Sequence, residues 1–158
     1  MLNMAIDKID RRILRELQID ARLTNVALAE RIGLSPSPCL RRVKRLEADG
    51  VIRHYGAVID SKQVGLGIAC LINVTLERNI EEAREVFKAA ISERPEILEC
   101  WPVTGEADFL LKVVTADIGD YERLMCDHIM CLPGISSTQT SFLLTPVKNK
   151  TALPLDAA

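Results

Sequence analysis

The chain is poor in aromatic residues and in histidine, and both shortages narrow its possible functions. Aromatic side chains make up 4% of the sequence, so aliphatic packing must supply most of any core. The two histidines, His54 and His128, lie near no nucleophile motif. Cys126, His128 and Cys131 raise the question of a metal site. However, Cys126 and His128 are two apart on an expected helix and therefore face apart. We expect no enzyme, no metal site and no cofactor.

Long apolar segments and a secretion signal are missing as well. No apolar run approaches the ~20 residues that cross a bilayer, and residues 1–7 contain neither a basic stretch nor a long apolar core. The five cysteines are an odd number scattered through apolar segments, which favours reduced, buried thiols over a disulfide framework. These features predict a cytoplasmic protein that does not bind membranes.

The charges are distributed unevenly along the chain. Residues 1–60 contain 11 basic and 8 acidic side chains, whereas residues 61–158 contain 9 basic and 14 acidic ones. The net charge of −2 hides this difference. A basic first part and an acidic second part indicate two modules with different partners.

Three helices are predicted in the basic module. Asp7, with Asp10 in the first turn, begins the first helix. Thr24 caps the second helix, and Gly33 ends it. After a very short connection, Ser35 caps a third helix that has proline at its first position and runs to about residue 49. Two helices joined by a tight turn with glycine are typical of a helix-turn-helix.

The third helix has an apolar face and, opposite it, a basic face. Cys39, Val43 and Leu46 form the apolar face, at ~100° per residue. Cations suit phosphates, and arginine can grip guanine with two hydrogen bonds. The residues expected nearest to the bases, at the start of the helix, are Ser35, Ser37, Pro38 and Arg41. The residues expected to contact phosphates are Arg42, Lys44 and Arg45.

Two other interpretations of the basic face stay open. It can be the solvated surface of an ordinary three-helix bundle. It can also contact protein, in a ligand-sensing or oligomeric scaffold. The tight turn, the Ser-Pro start and the regional charge difference favour DNA.

The acidic module has a regular order of elements. A strand is predicted at residues 51–60 and a connector at 61–67. Strands at 68–76, 97–104, 109–114 and 135–144 then alternate with helices at 80–92 and 118–132. The order β-α-β-β-α-β is typical of a ferredoxin-like sheet with two helices on one face. The other face carries apolar residues, and a second copy of the chain is the simplest cover for them.

The fold class that follows is α+β. The expected division is a helix-turn-helix domain at residues 1–52, a strand and hinge linker at 53–66, and a ferredoxin-like βαββαβ domain at 67–158.

Two segments of the chain have a familiar pattern. Residues 30–47, ERIGLSPSPCLRRVKRLE, span the expected helix-turn-helix. Residues 103–111, VTGEADFLL, contain a loop of glycine, acid, variable residue and aspartate before an apolar strand. Both segments resemble those of the Lrp/AsnC family, the leucine-responsive and asparagine-responsive or feast/famine regulators. Residues 132–135 and the tail at 151–155 match too, so the resemblance covers essentially the whole chain in the right order.

The resemblance implies a sequence-specific regulator that binds double-stranded DNA. It implies homodimers that assemble into tetramers or octamers. It also implies that a small amino acid bound at an interface of the C-terminal domain modulates DNA binding or assembly, with leucine and methionine as candidates. The implied effector-binding residues are Val103, Thr104, Gly105, Glu106, Ala107, Asp108, Thr138, Thr140 and Ser141. Ala107 occupies a position where relatives often carry an aromatic residue. The resemblance therefore leaves open which amino acid side chain the effector site prefers.

The chemistry of this set suits an amino acid. Loop amides near Gly105 can bind an α-carboxylate, Asp108 can pair with an α-ammonium, and hydroxyl groups can complete the shell. The plainer alternative is that Gly105 and Asp108 only build a tight hairpin. In that case Thr138 and Thr140 are ordinary strand residues.

Overall fold

The computed structural model describes residues 6–77 and 81–155, and it divides into two compact units. The helical unit contains the chain up to Val58 together with the segment from Lys148 onward. The sheet unit contains Ile59–Val147. The C-terminal tail, from Lys148 onward, therefore groups with the three helices. The sequence-based domain limits of 1–52, 53–66 and 67–158 place the same tail in the sheet domain.

Three helices form the helical unit. They are α1 (Lys8–Ile19), α2 (Asn25–Ile32) and α3 (Pro36–Ala48). Their apolar faces meet in one core, whose buried members are Ile13, Leu28, Ala29, Ile32, Cys39 and Leu46. Cys39 and Leu46 are both 0% exposed, which confirms the predicted apolar face of α3.

The ends of these helices follow the predicted positions. Asp7 begins α1 with a capping box, in which its carboxylate accepts from the amide of Asp10 and the Asp10 carboxylate accepts from the amide of Asp7. Thr24 caps α2, and Gly33 ends it with φ at +73°, a conformation that glycine adopts without strain. Ser35 precedes α3, but its side chain makes no capping hydrogen bond, so that prediction was wrong in this detail. Pro36 at the first helical position needs no amide partner there.

The strand predicted at residues 51–60 is not formed. Ile52 packs against the helical core, and its amide donates to the Leu46 carbonyl at 3.0 Å. Residues 53–60 continue as exposed chain without a ladder partner among the described residues. The β-branched composition of this stretch was misleading because a strand needs a neighbouring strand to satisfy its backbone groups.

The tail returns to α1. The Leu153 amide donates to Gln18 Oε1 at 2.6 Å, and Gln18 Nε2 donates to the Leu153 carbonyl at 3.3 Å. Arg11 Nη1 donates to the Leu155 carbonyl at 2.9 Å. Two side chains of α1 thus hold the backbone of the tail.

The sheet unit has the predicted β-α-β-β-α-β order. Its elements are β1 (Ile68–Leu76), α4 (Glu81–Ser92), β2 (Ile97–Pro102), β3 (Phe109–Thr115), α5 (Ile118–Arg123) and β4 (Ile135–Phe142). The strands form one antiparallel sheet in the order β2-β3-β1-β4. The second helix differs from the prediction of a single helix at 118–132. After α5 the chain continues as a π-helical turn at Leu124–Ile129, with hydrogen bonds to the fifth residue back.

One face of the sheet packs against the helices, and we call the other the open face. On β1 the helix-facing side chains are Cys70, Ile72, Val74 and Leu76, all buried. The open face includes Trp101, which is paired with Leu110 across the β2–β3 ladder and is 58% exposed. Apolar residues are thus present on this face, as expected, but its side chains on β4 are polar: Ser137, Gln139 and Ser141.

The cysteines divide into two groups. Cys39 and Cys70 are buried, and burial raises the pKa of both thiols. Cys100, Cys126 and Cys131 are exposed, so the expectation of buried thiols was wrong for these three. Apolar neighbours in sequence did not determine which way each side chain faces.

Candidate functional site

The outer face of α3 is the candidate nucleic-acid interface. Ser37, Arg41 and Lys44 are exposed, as predicted, and no ion pair engages Arg41 or Lys44 in the described part of the chain. At the start of the helix, Ser35 is exposed and Pro38 is half-buried. The arrangement places hydroxyl groups at the N-terminal end of α3 and free cations in its second and third turns.

Arg42 and Arg45 have a different environment. Arg42 Nη1 donates to Asp7 Oδ2 at 2.6 Å and to Asp10 Oδ1 at 2.9 Å. Arg45 Nη2 donates to Asp10 Oδ2 at 2.5 Å. Both guanidinium groups are therefore engaged by carboxylates of α1, a contact that the pattern of α3 alone did not reveal.

Asp10 is the centre of this network. Its side chain is 0% exposed, and both of its oxygens accept hydrogen bonds. Removing a cationic partner from this buried carboxylate would be destabilising, because water cannot replace the lost contact fully. Asp7 lies at the rim of the network. The amide of Asp10 and the guanidinium of Arg42 lower the pKa of the Asp7 carboxyl.

The sheet unit contains a cavity of about 450 Å³ on its open face. Its floor is built by alternate residues of β1 and β4, which are neighbours in the ladder. Its wall is the loop between β2 and β3. The lining residues are Asn73, Thr75, Val103, Thr104, Glu106, Ala107, Ser137 and Gln139. The lining is mostly amide and hydroxyl groups, with Glu106 as its one carboxylate.

The loop meets the sequence-based expectation in most positions. Val103, Thr104, Glu106 and Ala107 line the cavity. Gly105 has φ at +118°, a conformation that favours glycine in this turn. In the described part of the chain, the amides of residues 104–107 donate to no protein acceptor. A polar ligand can therefore meet several unused N–H groups here.

Asp108 does not line the cavity. Its carboxylate accepts from the Leu76 amide at 2.8 Å and is ion-paired with Arg84 of α4. The main chain of Asp108 is also engaged, by Val103 and Val74. In this structure the residue ties the loop to β1 and α4, so it is not free to pair with an ammonium group in the cavity.

The predicted hydroxyl residues of β4 lie on two different faces. Thr138 and Thr140 pair with Val74 and Ile72 and so share the helix-facing side of the sheet. Thr140 Oγ1 accepts from the Tyr121 hydroxyl at 2.8 Å, below that face. The structure therefore does not bring Thr138 or Thr140 to the cavity. Ser141 lies on the open face but outside the cavity lining.

Four lining residues were missed by the sequence analysis. They are Asn73, Thr75, Ser137 and Gln139. The signal that could have found them is strand alternation: once the loop at 103–108 is taken as one wall, the polar residues on the same face of β1 and β4 follow.

Two further observations concern the described residues only. None of the helices within residues 6–77 and 81–155 has the length and apolar character that crossing a membrane demands. Those same residues contain no group of three His, Cys, Asp or Glu placed to hold a metal ion.

Sequence comparisons match both units. The family model described as the Lrp/AsnC ligand binding domain covers residues 69–153, and a winged helix-turn-helix DNA-binding model covers residues 6–53. The leucine-responsive regulatory protein of Salmonella typhimurium is 40% identical over 148 residues, which is 94% of this chain and 90% of that protein.

Solved structures of similar proteins match this chain over nearly its whole length. A transcriptional regulator of Neisseria meningitidis in complex with L-methionine superposes with a TM-score of 0.92 at 42% identity, over 97% of this chain and 99% of that one. A feast or famine regulatory protein of Mycobacterium tuberculosis complexed with L-methionine gives a TM-score of 0.83 at 31% identity, over 93% and 97%.

The relatives are transcriptional regulators, which confirms the expectation that the chain is not an enzyme. The matches also confirm the predicted α+β fold, with its helix-turn-helix and its four-stranded antiparallel sheet. The chain belongs to the Lrp/AsnC family: it is a DNA-binding transcriptional regulator with the ligand-binding domain of that family.

Proposed function

We propose that an amino acid bound in the cavity on the open face modulates DNA binding or assembly by this regulator. The observation that carries the proposal is the polar cavity itself, walled by the loop at 103–108 and floored by β1 and β4. Its volume of about 450 Å³ lies in the range usual for small-ligand sites.

The cavity has complementary groups for both ends of an amino acid. The unused amides of residues 104–107 can donate to an α-carboxylate. Glu106 supplies a negative charge for an α-ammonium, the role that the sequence analysis gave to Asp108. Asn73, Ser137 and Gln139 can complete the hydrogen bonds.

Leucine and methionine are the first effectors to test. Two relatives were crystallised with L-methionine. Val103 and Ala107 are the apolar residues of the lining, and the small side chain of Ala107 leaves room beside the loop.

For DNA, we propose that Ser35, Ser37, Pro38 and Arg41 lie nearest to the bases and that Lys44 contacts phosphate. The N-terminal residues of a recognition helix usually reach the base edges. The exposure of Ser37, Arg41 and Lys44 supports this assignment.

For assembly, we propose that the open face packs against a second copy of the chain and that such dimers form tetramers or octamers. Trp101 at 58% exposed and Leu98 at 54% give β2 apolar surface that a partner can cover. The cytoplasm is the compartment in which a DNA-binding regulator with free thiols is expected.

The effector proposal is tested by melting-temperature shifts with each of the twenty amino acids. A ligand that binds only the native state, at a free concentration 100 times its Kd, raises the free energy of unfolding by about 2.7 kcal/mol. Gln139→Ala should abolish the shift, whereas Gln63→Ala, which removes the same side chain from an exposed turn of the sheet unit, should retain it. No shift with any amino acid, or an unchanged shift in Gln139→Ala, contradicts the proposal.

The DNA assignment is tested on a duplex selected by the wild-type chain from a random library. Arg41→Ala should weaken binding in an electrophoretic shift by about 1–3 kcal/mol, the usual cost of one lost base contact. Arg123→Ala removes an exposed arginine of the sheet unit and serves as the matched control. Equal affinity of both variants would refute the α3 interface.

A further inference from the structure

Two pairs of cations lie side by side on α3, and they have different partners. Arg41 and Lys44 are three residues apart on the exposed side. Arg42 and Arg45, also three apart, lie about 100° further round the helix. Both members of the second pair bond to carboxylates at the start of α1.

The second pair meets one buried carboxylate. Asp10 is 0% exposed and accepts from Arg42 on one oxygen and from Arg45 on the other. The same residue closes the capping box of α1 with Asp7. One side chain therefore fixes the start of α1 and holds a full turn of α3 against it.

We propose that Asp10 is a positioning residue for DNA recognition, acting through Arg42 and Arg45, and that these two arginines are not phosphate ligands. The inference rests on the proposed DNA face of α3. It divides the basic residues of that helix into a pair that holds the helix to the protein, Arg42 and Arg45, and a pair that is free for DNA, Arg41 and Lys44.

The charge balance at Asp10 supports this division. If Arg42 left to bind a phosphate, Asp10 Oδ1 would lose its hydrogen bond, and if Arg45 left, Oδ2 would retain only the Asp7 amide. Either change takes one of two cationic partners from a buried carboxylate, which is unfavourable. Arg42 is also the less exposed of the two, at 26%, and it is held by a second carboxylate, that of Asp7. Arg45 is 45% exposed, so its role needs the sharper test.

The first experiment counts phosphate contacts by salt dependence. The probe is the duplex selected from a random library by the wild-type chain. Each phosphate contact contributes about 0.9 to the slope of log K against log salt concentration. Lys44→Gln should lower the slope by about 0.9, whereas Arg42→Gln and Arg45→Gln should keep the wild-type slope and weaken binding equally at all salt concentrations. Arg123→Gln should change neither quantity.

The second experiment distinguishes two roles for Arg42 and Arg45. They either hold α3 against α1 at all times, or they bind Asp10 only in the free protein and move to phosphates when DNA binds. Asp10→Asn keeps the shape of the side chain and removes its charge. If Asp10 positions α3, this variant binds DNA about tenfold more weakly, a loss of about 1.4 kcal/mol, with an unchanged slope. If the arginines are stored phosphate ligands, the same variant releases two cations, so binding becomes tighter and the slope steeper.

These experiments test the role of Asp10 separately from the proposed DNA-binding face of α3. A slope reduced by about 0.9 in Arg42→Gln or Arg45→Gln, or tighter binding by Asp10→Asn, overturns the inference and leaves the DNA face intact. No change in Arg41→Gln and Lys44→Gln overturns the DNA face itself. Circular dichroism and melting temperature establish that each variant is folded. If Asp10→Asn does not fold, the slopes of the two single arginine variants decide.

Discussion

Gly134 offers a sharp test of the packing between β4 and α4. Its φ is +79°, in the left-handed region that costs an ordinary residue about 1–2 kcal/mol. A Cβ at this position would also lie 2.6 Å from the Cβ of Ala83, a buried residue of α4. Carbon atoms normally approach to about 3.5–4.0 Å, so α4 would have to move by about 1 Å. Such overpacking costs about 1–3 kcal/mol. We expect Gly134→Ala to destabilise the sheet unit by about 2–5 kcal/mol in total.

Gly65 provides the matched control. It lies in the same unit and has nearly the same φ, +84°, but an added Cβ would have no neighbour within 4 Å. Gly65→Ala should therefore show only the backbone cost. In scanning calorimetry, 1 kcal/mol shifts the melting temperature of a domain the size of the sheet unit by about 4–8 °C. Gly134→Ala should thus melt about 4–24 °C below Gly65→Ala.

A double variant isolates the contact. Ala83→Gly removes the atom that the new Cβ would strike, at about 1 kcal/mol of helix propensity. In the Ala83→Gly background, Gly134→Ala should cost about 1–3 kcal/mol less than it does in the wild-type chain. Equal melting temperatures for Gly134→Ala and Gly65→Ala, or strict additivity in the double variant, would refute the reasoning.

Three further outcomes follow from side chains with defined partners. Asp108→Asn weakens the pair with Arg84 and should lower stability by about 1–2 kcal/mol, measured by urea unfolding; wild-type stability would count against the anchoring role. Thr140→Val removes the acceptor of the Tyr121 hydroxyl and should cost about 1 kcal/mol while calorimetric titration shows unchanged amino acid affinity. A large loss of affinity would mean that Thr140 reaches the ligand. The pKa of Asp7 is lowered in the folded chain, so its stabilising contribution is present above its ordinary pKa of 3.8 and is lost as pH falls through the lowered value. The stability difference between wild type and Asp7→Asn should therefore shrink as pH falls below 3.8, and a difference that stays constant there contradicts the assignment.

Local chemistry made much of the helical unit predictable. A capping residue, its partner three positions later and a terminating glycine are close in sequence, so Asp7, Thr24 and Gly33 could be assigned their roles directly. The burial of Asp10 could not, because its partners on α3 are 32 and 35 residues away. A helical pattern shows which residues share a face but not what that face meets.

The proposed effector site shows that strand patterns have the same limit. Its loop was found because VTGEAD is a continuous segment. Its floor was not, because the face of each β4 residue depends on where the strand begins and on the ladder register. Assigning Thr138 and Thr140 to the site placed them one position out of phase with Ser137 and Gln139. A shift of one residue exchanges the two faces of a strand completely.

The return of the tail to α1 has a consequence for limited proteolysis. The chain leaves the helical unit once, near Val58, and comes back once, near Lys148. A protease that cuts at only one of these crossings leaves the DNA-reading and ligand-binding units connected through the other. Their separation requires either both cuts, or one cut near Val58 followed by release of Leu153 and Leu155 from Gln18 and Arg11 of α1.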